Sequence, residues 1–285
     1  MIFRVLHYNP LSANQLRLEQ ILQATRNFSI IGLVATQRRA PVGLELGSSR
    51  QFGCTIVEAG WARAPLSNKS SGVLLAVRKP FTTEHIHQTW TPPPSLQGRA
   101  IAARLKGGFF DLFVCCMYLP PRPQTASKRG GYQRTVEALL EWLDERLSEQ
   151  KHRTTPIVLM DANDGIGLEL RAGRYRSVET QCIAEAGARR EHAAGKRLRE
   201  IMEKHHMRAM SAEMGGPTWF GNEGQATLID YVWAPAALPL RCSGPLRRLA
   251  AELQLIRTRQ LRDHVPLEFD YVQRLEKERH GTLTL

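Results

Sequence analysis

No apolar run in the 285 residues approaches the roughly 18 needed to cross a bilayer. The opening residues, Met1-Ile2-Phe3-Arg4-Val5-Leu6-His7, lack the long apolar core and small-residue cleavage site of a secretory leader. These absences predict a soluble, unexported chain with no membrane partner, intracellular and either nuclear or cytoplasmic. Cysteine is scarce too. Cys54, Cys115, Cys116, Cys182 and Cys242 make an odd count of five with no metal-ligand spacing, which leaves buried thiols in a reducing compartment. Cys115 and Cys116, adjacent in one apolar run, are predicted to point to opposite faces of a strand. Internal repeats, a break in composition and a long linker are also missing. The expected organisation is one domain over residues 1–272 with a charged tail at 273–285, acting as a monomer.

Acidic residues are short relative to basic ones. Lys and Arg number 39 against 27 for Asp and Glu, giving a net charge of +12 and a pI of about 9.9. The segment 241–262 holds six arginines and one acid, Glu252. A basic surface favours polyanions, because each phosphate contact releases counterions. It equally describes a solvated face, so charge by itself selects no activity.

The chain does have the content of an ordinary folded protein, 42% apolar. Short runs rich in β-branched residues and bounded by Gly or Pro predict strands over 3–8, 30–36, 54–58, 72–77, 100–105, 111–119, 156–160, 227–233 and 265–271. Helical periodicity predicts helices over 15–25 (Leu16, Leu18, Ile21, Leu22), 132–150 (Val136, Leu139, Leu140, Leu143, Leu147) and 191–207 (Leu198, Ile201, Met202). Many strands with few helices imply two sheets packed face to face and covered outside by helices. The Pro-rich stretch 91–95 and the basic, Gly-rich stretch 120–131 are read as surface loops. The pairs His85/His87 and His205/His206 have no second cluster near them and are read as solvated side chains.

Polar residues stand at the ends of the apolar runs: Asn9, Tyr118, Asp161, Asn163, Asp230, Asp263 and His264. Strand ends are where α/β scaffolds present chemistry. Alternation predicts that Asp161 and Asn163 share one side and reach one cleft. Asp230, embedded in Ile229-Asp230-Tyr231, needs a partner because an unpaired buried carboxylate is costly, and His264 is the natural candidate. An Asp-x-Asn and a distant Asp-His suit metal-assisted phosphodiester hydrolysis. One carboxylate takes a proton from water while the other groups hold a metal and a phosphate. By itself, Asp161-Ala162-Asn163-Asp164-Gly165 also has the chemistry of a turn.

In their order and spacing these motifs resemble the endonuclease/exonuclease/phosphatase superfamily, which includes apurinic endonucleases, DNase I-like enzymes and retrotransposon endonucleases. The resemblance runs over residues 3–272. It rests on Asn9, Ser71-Gly72-Val73, Tyr118-Leu119-Pro120, Asp161-Ala162-Asn163, Thr218-Trp219, Ile229-Asp230-Tyr231 and Asp263-His264-Val265-Pro266. It implies a DNase I-like four-layer α/β/β/α sandwich, two packed mixed sheets flanked by helices. It also implies hydrolysis that depends on Mg²⁺ or Mn²⁺, with DNA as the favoured substrate. The roles it implies are specific. Asp161 would orient or deprotonate the attacking water, and Asn163 would hold that water or a phosphate oxygen. His264, paired with Asp230, would contact the scissile phosphate, and Tyr118 would donate a hydrogen bond to it. Asn9 and Asp263 would lie at or beside the metal.

The departures are equally specific. The family's second strand usually ends in Gln-Glu-Thr, whose glutamate is the chief metal ligand, whereas Leu33-Val34-Ala35-Thr36-Gln37 puts Ala35 at that place. Gln37, Glu45 and Glu58 are the remaining candidates to supply an oxygen. Met160 replaces a glycine before Asp-x-Asn, and Arg262 a serine before Asp-His. Two other functions therefore stand beside an active endonuclease: a catalytically inactive homologue that binds nucleic acid through its basic face, and a phosphatase of the same fold.

Overall fold

The computed structural model describes residues 2–38, 45–49, 53–60, 71–185, 188–214, 216–221, 223–238, 240–245 and 263–272. The tail expected at 273–285 and most of the arginine-rich segment, 246–262, lie outside the described residues. Two mixed sheets dominate. The seven-stranded sheet runs Leu240–Pro245, Leu267–Val272, Ile2–Tyr8, Ile30–Leu33, Val73–Arg78, Cys54–Ala59 and Glu45–Ser49 in spatial order. The six-stranded sheet runs Met207–Ala209, Asp230–Pro235, Thr155–Asp161, Phe110–Tyr118, Ala100–Gly107 and Ile86–Trp90.

Each sheet has one parallel pair, and each parallel pair needs a crossover. Helix α1 (Gln15–Ala24) connects Ile2–Tyr8 to Ile30–Leu33, and α2 (Arg129–Ser148) connects Phe110–Tyr118 to Thr155–Asp161. A third helix, α3 (Ala193–Lys204), lies beside α2. Asn14 caps α1 by accepting the Arg17 N–H at 2.9 Å. No side chain of its own N-cap residue closes α3; Asp164, from outside the helix, accepts the Gly195 N–H at 2.9 Å.

Side-chain alternation sorts the apolar residues into three cores. Phe3, Val5, Ile30, Leu75, Val114, Cys116, Leu159 and Phe269 pack between the sheets. Phe113, Cys115, Val158 and Trp233 face away from that core, under Leu139, Leu140 and Leu143 of α2 and Leu198 and Ile201 of α3. Leu6, Ile31, Leu33 and Leu74 pack beneath Leu18, Ile21 and Leu22 of α1. The layers are therefore helix, sheet, sheet, helix, and Cys115 and Cys116 do point to opposite faces. Each fully buried leucine here stabilises the fold by about 1.5–3 kcal/mol relative to exposure.

Several elements differ from expectation. Leu16 is 66% exposed, because the buried stripe of α1 follows 18, 21 and 22 and position 16 falls on the opposite side. The stretch predicted as a strand over 30–36 stops at Leu33, and Ala35 and Gln37 adopt left-handed backbone angles, φ 51° and 55°. His87, read as solvated, is exposed on the edge strand Ile86–Trp90, which was not predicted. Helix α2 begins at Arg129, inside the stretch read as a loop. Two small sheets were not predicted. One joins Gly167–Arg171, Arg174–Ser177 and Arg189–Arg190; the other joins Ala226–Thr227, Trp219–Phe220 and Asp263–His264.

Gly32 sets how closely the two large sheets approach. A Cβ there would lie 2.5 Å from both Cys116 Sγ and Leu159 Cδ1 of the facing sheet. Gly32→Ala is expected to overpack this core and destabilise the fold by about 1–3 kcal/mol. Chemical denaturation checks this, and an unchanged midpoint would show that the sheets can move apart at no cost.

Candidate active site

Four separated segments converge at one end of the sheets. Asp161 is the last residue of its strand, paired in register with Tyr118 on one side and Asp230 on the other. Asn9 follows the first strand, whose residue Tyr8 accepts the Val34 N–H at 3.1 Å. His264 reaches the same place from a two-residue strand paired with Trp219. Thr218 fixes the start of the Asp230 strand, its hydroxyl oxygen accepting the Ile229 N–H at 3.2 Å and the Asp230 N–H at 3.0 Å.

The contacts are short and mutually supporting. His264 Nδ1 is 2.8 Å from Asp230 Oδ2 and 3.1 Å from Oδ1. On the other side of the ring, Nε2 stands 3.7 Å from Asp161 Oδ2 and 3.2 Å from the Asn9 amide nitrogen. Asn9 Nδ2 donates to Asp161 Oδ2 at 2.8 Å, while its Oδ1 accepts the Leu11 N–H at 2.8 Å. The imidazole is thus held between two carboxylates, and Asp161, Asp230, Asn9 and His264 are all buried.

This crowding sets the protonation states. Burial and the neighbouring Asp230 charge push the Asp161 carboxyl up to about 7. Burial acts the same way on Asp230, but the charge and hydrogen bond of His264 more than offset it and hold Asp230 down at about 2. Burial disfavours a charged His264, yet Asp230 and Asp161 overcome that and raise it to about 9. These directions favour a protonated His264 locked to an ionised Asp230, with the Asn9 amide nitrogen facing Nε2 at 3.2 Å. Asp161 is the group poised to exchange a proton, a perturbation typical of functional centres.

The remaining predicted residues sit around this group. Asn163 is partly exposed with φ 48°, and its N–H donates to Asp161 Oδ1 at 3.0 Å while Nδ2 donates to the Leu119 carbonyl at 2.8 Å. Because the strand ends at Asp161, a turn places Asn163 rather than alternation. The turn chemistry and the site occupy the same residues. Tyr118 is buried against the inter-sheet core, with the Arg99 guanidinium 5.0 Å from its ring centroid. Asp263 is half-buried with φ 65°, its carboxyl raised by burial and held by a hydrogen bond from Trp219. It stands next to His264 in sequence but outside the tight group.

His7 was missed. It is fully buried with Nε2 3.6 Å from Asp230 Oδ1, so Asp230 lies between two histidines. The signal was available: positions 3, 5, 7 and 9 alternate onto the face that carries Phe3, Val5 and Asn9.

Among the described residues, Asp161, Asp230 and His264 are the one group of acids, histidines or cysteines whose ligand atoms all lie within 4.8 Å of one another. Two carboxylates suit a hard, oxygen-ligated divalent cation in kind. His264 is already engaged, Nδ1 with Asp230 at 2.8 Å and Nε2 beside Asn9 at 3.2 Å, and Ala35, fully buried in the inter-sheet core, offers no oxygen. One suggested replacement is committed elsewhere, and another is tethered through its nitrogen only. Glu58 pairs with Arg38 at 2.6 Å, and the Gln37 amide donates to the Leu11 carbonyl. The Glu45 side chain lies outside the described residues.

No known sequence family matches the chain, and no curated protein matches it. Solved structures do. A 3' phosphatase, NExo from Neisseria, bound to a product DNA hairpin, superposes with a TM-score of 0.64 at 16% identity, covering 95% of this chain and 99% of the other. The chain shares its α/β fold of two packed mixed sheets with this DNase I-like structure. Other solved structures share it too. The endonuclease domain of TRAS1, a telomere-specific non-LTR retrotransposon, has a TM-score of 0.57 at 14% identity, covering 96% of this chain and 99% of that one. The apurinic endonuclease LMAP from Leishmania major has a TM-score of 0.61 at 14% identity, covering 95% and 87%. Identities this low show a shared architecture and leave activity to be argued from the site.

Proposed function

We propose that the protein is a divalent-metal-dependent phosphodiester hydrolase acting on nucleic acid, with DNA the favoured substrate, in the manner of apurinic or retrotransposon endonucleases. One observation carries this reading: the buried His264 imidazole is clamped between Asp230 at 2.8 Å and Asp161 at 3.7 Å, and burial beside Asp230 raises the Asp161 carboxyl. Such a carboxylate can take a proton from water near neutral pH. The imidazolium, fixed by Asp230, supplies preorganised positive charge where negative charge develops on the phosphoryl oxygens. Asn163 orients the water or a phosphate oxygen, and Tyr118 contributes from the neighbouring strand end. Asn9 and Asp263 are the oxygen donors outside the proton-handling pair that would hold the ion. A bound Mg²⁺ or Mn²⁺ would supply Lewis-acid polarisation of the phosphoryl group.

The test is nicking of supercoiled plasmid with Mg²⁺ or Mn²⁺, followed across pH. Activity needs Asp161 ionised and His264 charged. The rate is expected to rise as pH passes about 7, where Asp161 loses its proton, and to fall as pH passes about 9, where His264 loses its own. A profile without these limbs contradicts the assigned roles. Turnover of small phosphoesters with no action on DNA would favour a phosphatase of this fold.

Ala35 supports one other reading. A centre without its carboxylate at that position can persist as a nucleic-acid-binding surface, and then DNA is bound in a salt-sensitive way but never cut.

A further inference from the structure

We propose that a cleft beside Asn163, lined by Arg122, Arg189 and Arg190, takes the phosphodiester backbone of the strand flanking the scissile phosphate. The cleft has a volume of about 410 Å³, and its wall also includes Asp164, His192 and Thr227. That is room for a nucleotide-sized unit. The strand it takes is the substrate proposed above, so the assignment rests on that reading.

The cleft is continuous with the centre through one residue. Asn163 lines it while donating its N–H to Asp161 at 3.0 Å. A strand presenting a phosphate to Asp161 and His264 can lay its neighbouring phosphate here. The one acid in the wall does not cancel the arginines. Asp164 is buried and saturated, accepting the Gly165 N–H at 2.9 Å and the Gly195 N–H at 2.9 Å, with His192 Nδ1 at 2.8 Å. Among the described residues, neither Arg122 nor Arg190 is ion-paired to an acid, and both are exposed.

The arginines are presented by structure rather than scattered. Arg189–Arg190 forms the third strand of the small sheet with Gly167–Arg171 and Arg174–Ser177. The Arg190 guanidinium lies 4.8 Å from the centroid of the Tyr175 ring, which limits its freedom before any ligand arrives. Gly165 lets this strand come close, since a Cβ there would meet the Arg190 carbonyl oxygen at 2.4 Å and Arg189 Cβ at 2.7 Å. Planar guanidiniums with free donors match phosphate oxygens in a bidentate way. A polyanionic strand is the ligand such a wall favours.

The experiment measures binding of fluorescent single-stranded and duplex oligonucleotides by anisotropy over a range of salt, with plasmid nicking run on the same wild-type preparation. Arg122→Ala/Arg190→Ala is compared with Arg153→Ala, an exposed arginine that does not line the cleft. The double variant is expected to weaken binding by about tenfold or more and to flatten the log–log salt slope by about 2, roughly one unit per lost phosphate contact. Arg153→Ala is expected to change neither by a comparable amount. Equal losses in the two variants, or no loss in the double variant while the wild type binds and nicks, would overturn the cleft and leave the hydrolase reading standing. A wild-type protein that neither binds nor nicks would overturn both.

Discussion

Asp161→Asn is expected to lower plasmid nicking by about 10²–10⁴-fold without loss of the fold. Asparagine keeps the shape but has one acceptor oxygen for the two hydrogen bonds that Asn9 gives to Oδ2 at 2.8 Å and Asn163 to Oδ1 at 3.0 Å, and it cannot take a proton. The loss should therefore appear in turnover and not in DNA affinity. Stability gives an independent check. The Asp161 carboxyl titrates in the folded protein at about 7, above its ordinary value of 3.8. The folded state thus holds a proton that the unfolded chain releases, so stability falls as pH rises from the lower value and the whole cost is present above the higher one. Asparagine carries no such cost. Relative to the wild type, the Tm of Asp161→Asn should therefore rise as pH increases from about 4 to about 8, on top of a constant loss from the hydrogen bond asparagine cannot accept. A Tm difference that does not change with pH would contradict a raised Asp161 carboxyl.

Ala35→Glu is expected to reduce the Mg²⁺ concentration for half-maximal nicking by roughly ten- to a hundredfold. Residue 35 is fully buried, so a glutamate there needs a cation to neutralise it. Val34 donates to the Tyr8 carbonyl at 3.1 Å, Thr36 to Gly72 at 2.9 Å and Gln37 to Ser71 at 2.8 Å, which holds residue 35 next to the strand end that leads into Asn9. Its left-handed backbone already carries a side chain with a Cβ, so glutamate adds no new backbone conformation. The control is Ala35→Gln, which has the same length without the charge. Metal titration of both variants separates the causes. Equal gains would credit packing, and no gain in either would end the claim that Ala35 marks a missing ligand.

The large elements were legible in the sequence because their pattern is their physics. The stripe of Val136, Leu139, Leu140, Leu143 and Leu147 is the buried face of α2, and the run ending at Asp161 is buried on both sides. Asn9, Asp161, Asp230 and His264 could be found because each interrupts or closes an apolar run with a group that must have a partner. The small strands at Arg189–Arg190, Trp219–Phe220 and Asp263–His264 are too short for any period to show. They form because longer strands position their neighbours. The Arg174–Ser177 strand is wholly exposed, so it has no apolar alternation to betray it. His7 shares the alternation of Phe3 and Val5, but a histidine inside an apolar strand looks like filler until the facing sheet brings Asp230 to 3.6 Å.

The most direct test compares wild type and Asp161→Ala on supercoiled plasmid, with and without Mg²⁺ or Mn²⁺, while DNA binding is followed in parallel. A hydrolytic centre built on Asp161 and His264 gives metal-dependent nicked circles with the wild type, none with Asp161→Ala, and DNA binding by both. Salt-sensitive binding by the wild type with no nicking at any metal concentration would contradict it, and would leave a nucleic-acid-binding protein that shares only the fold of the nucleases.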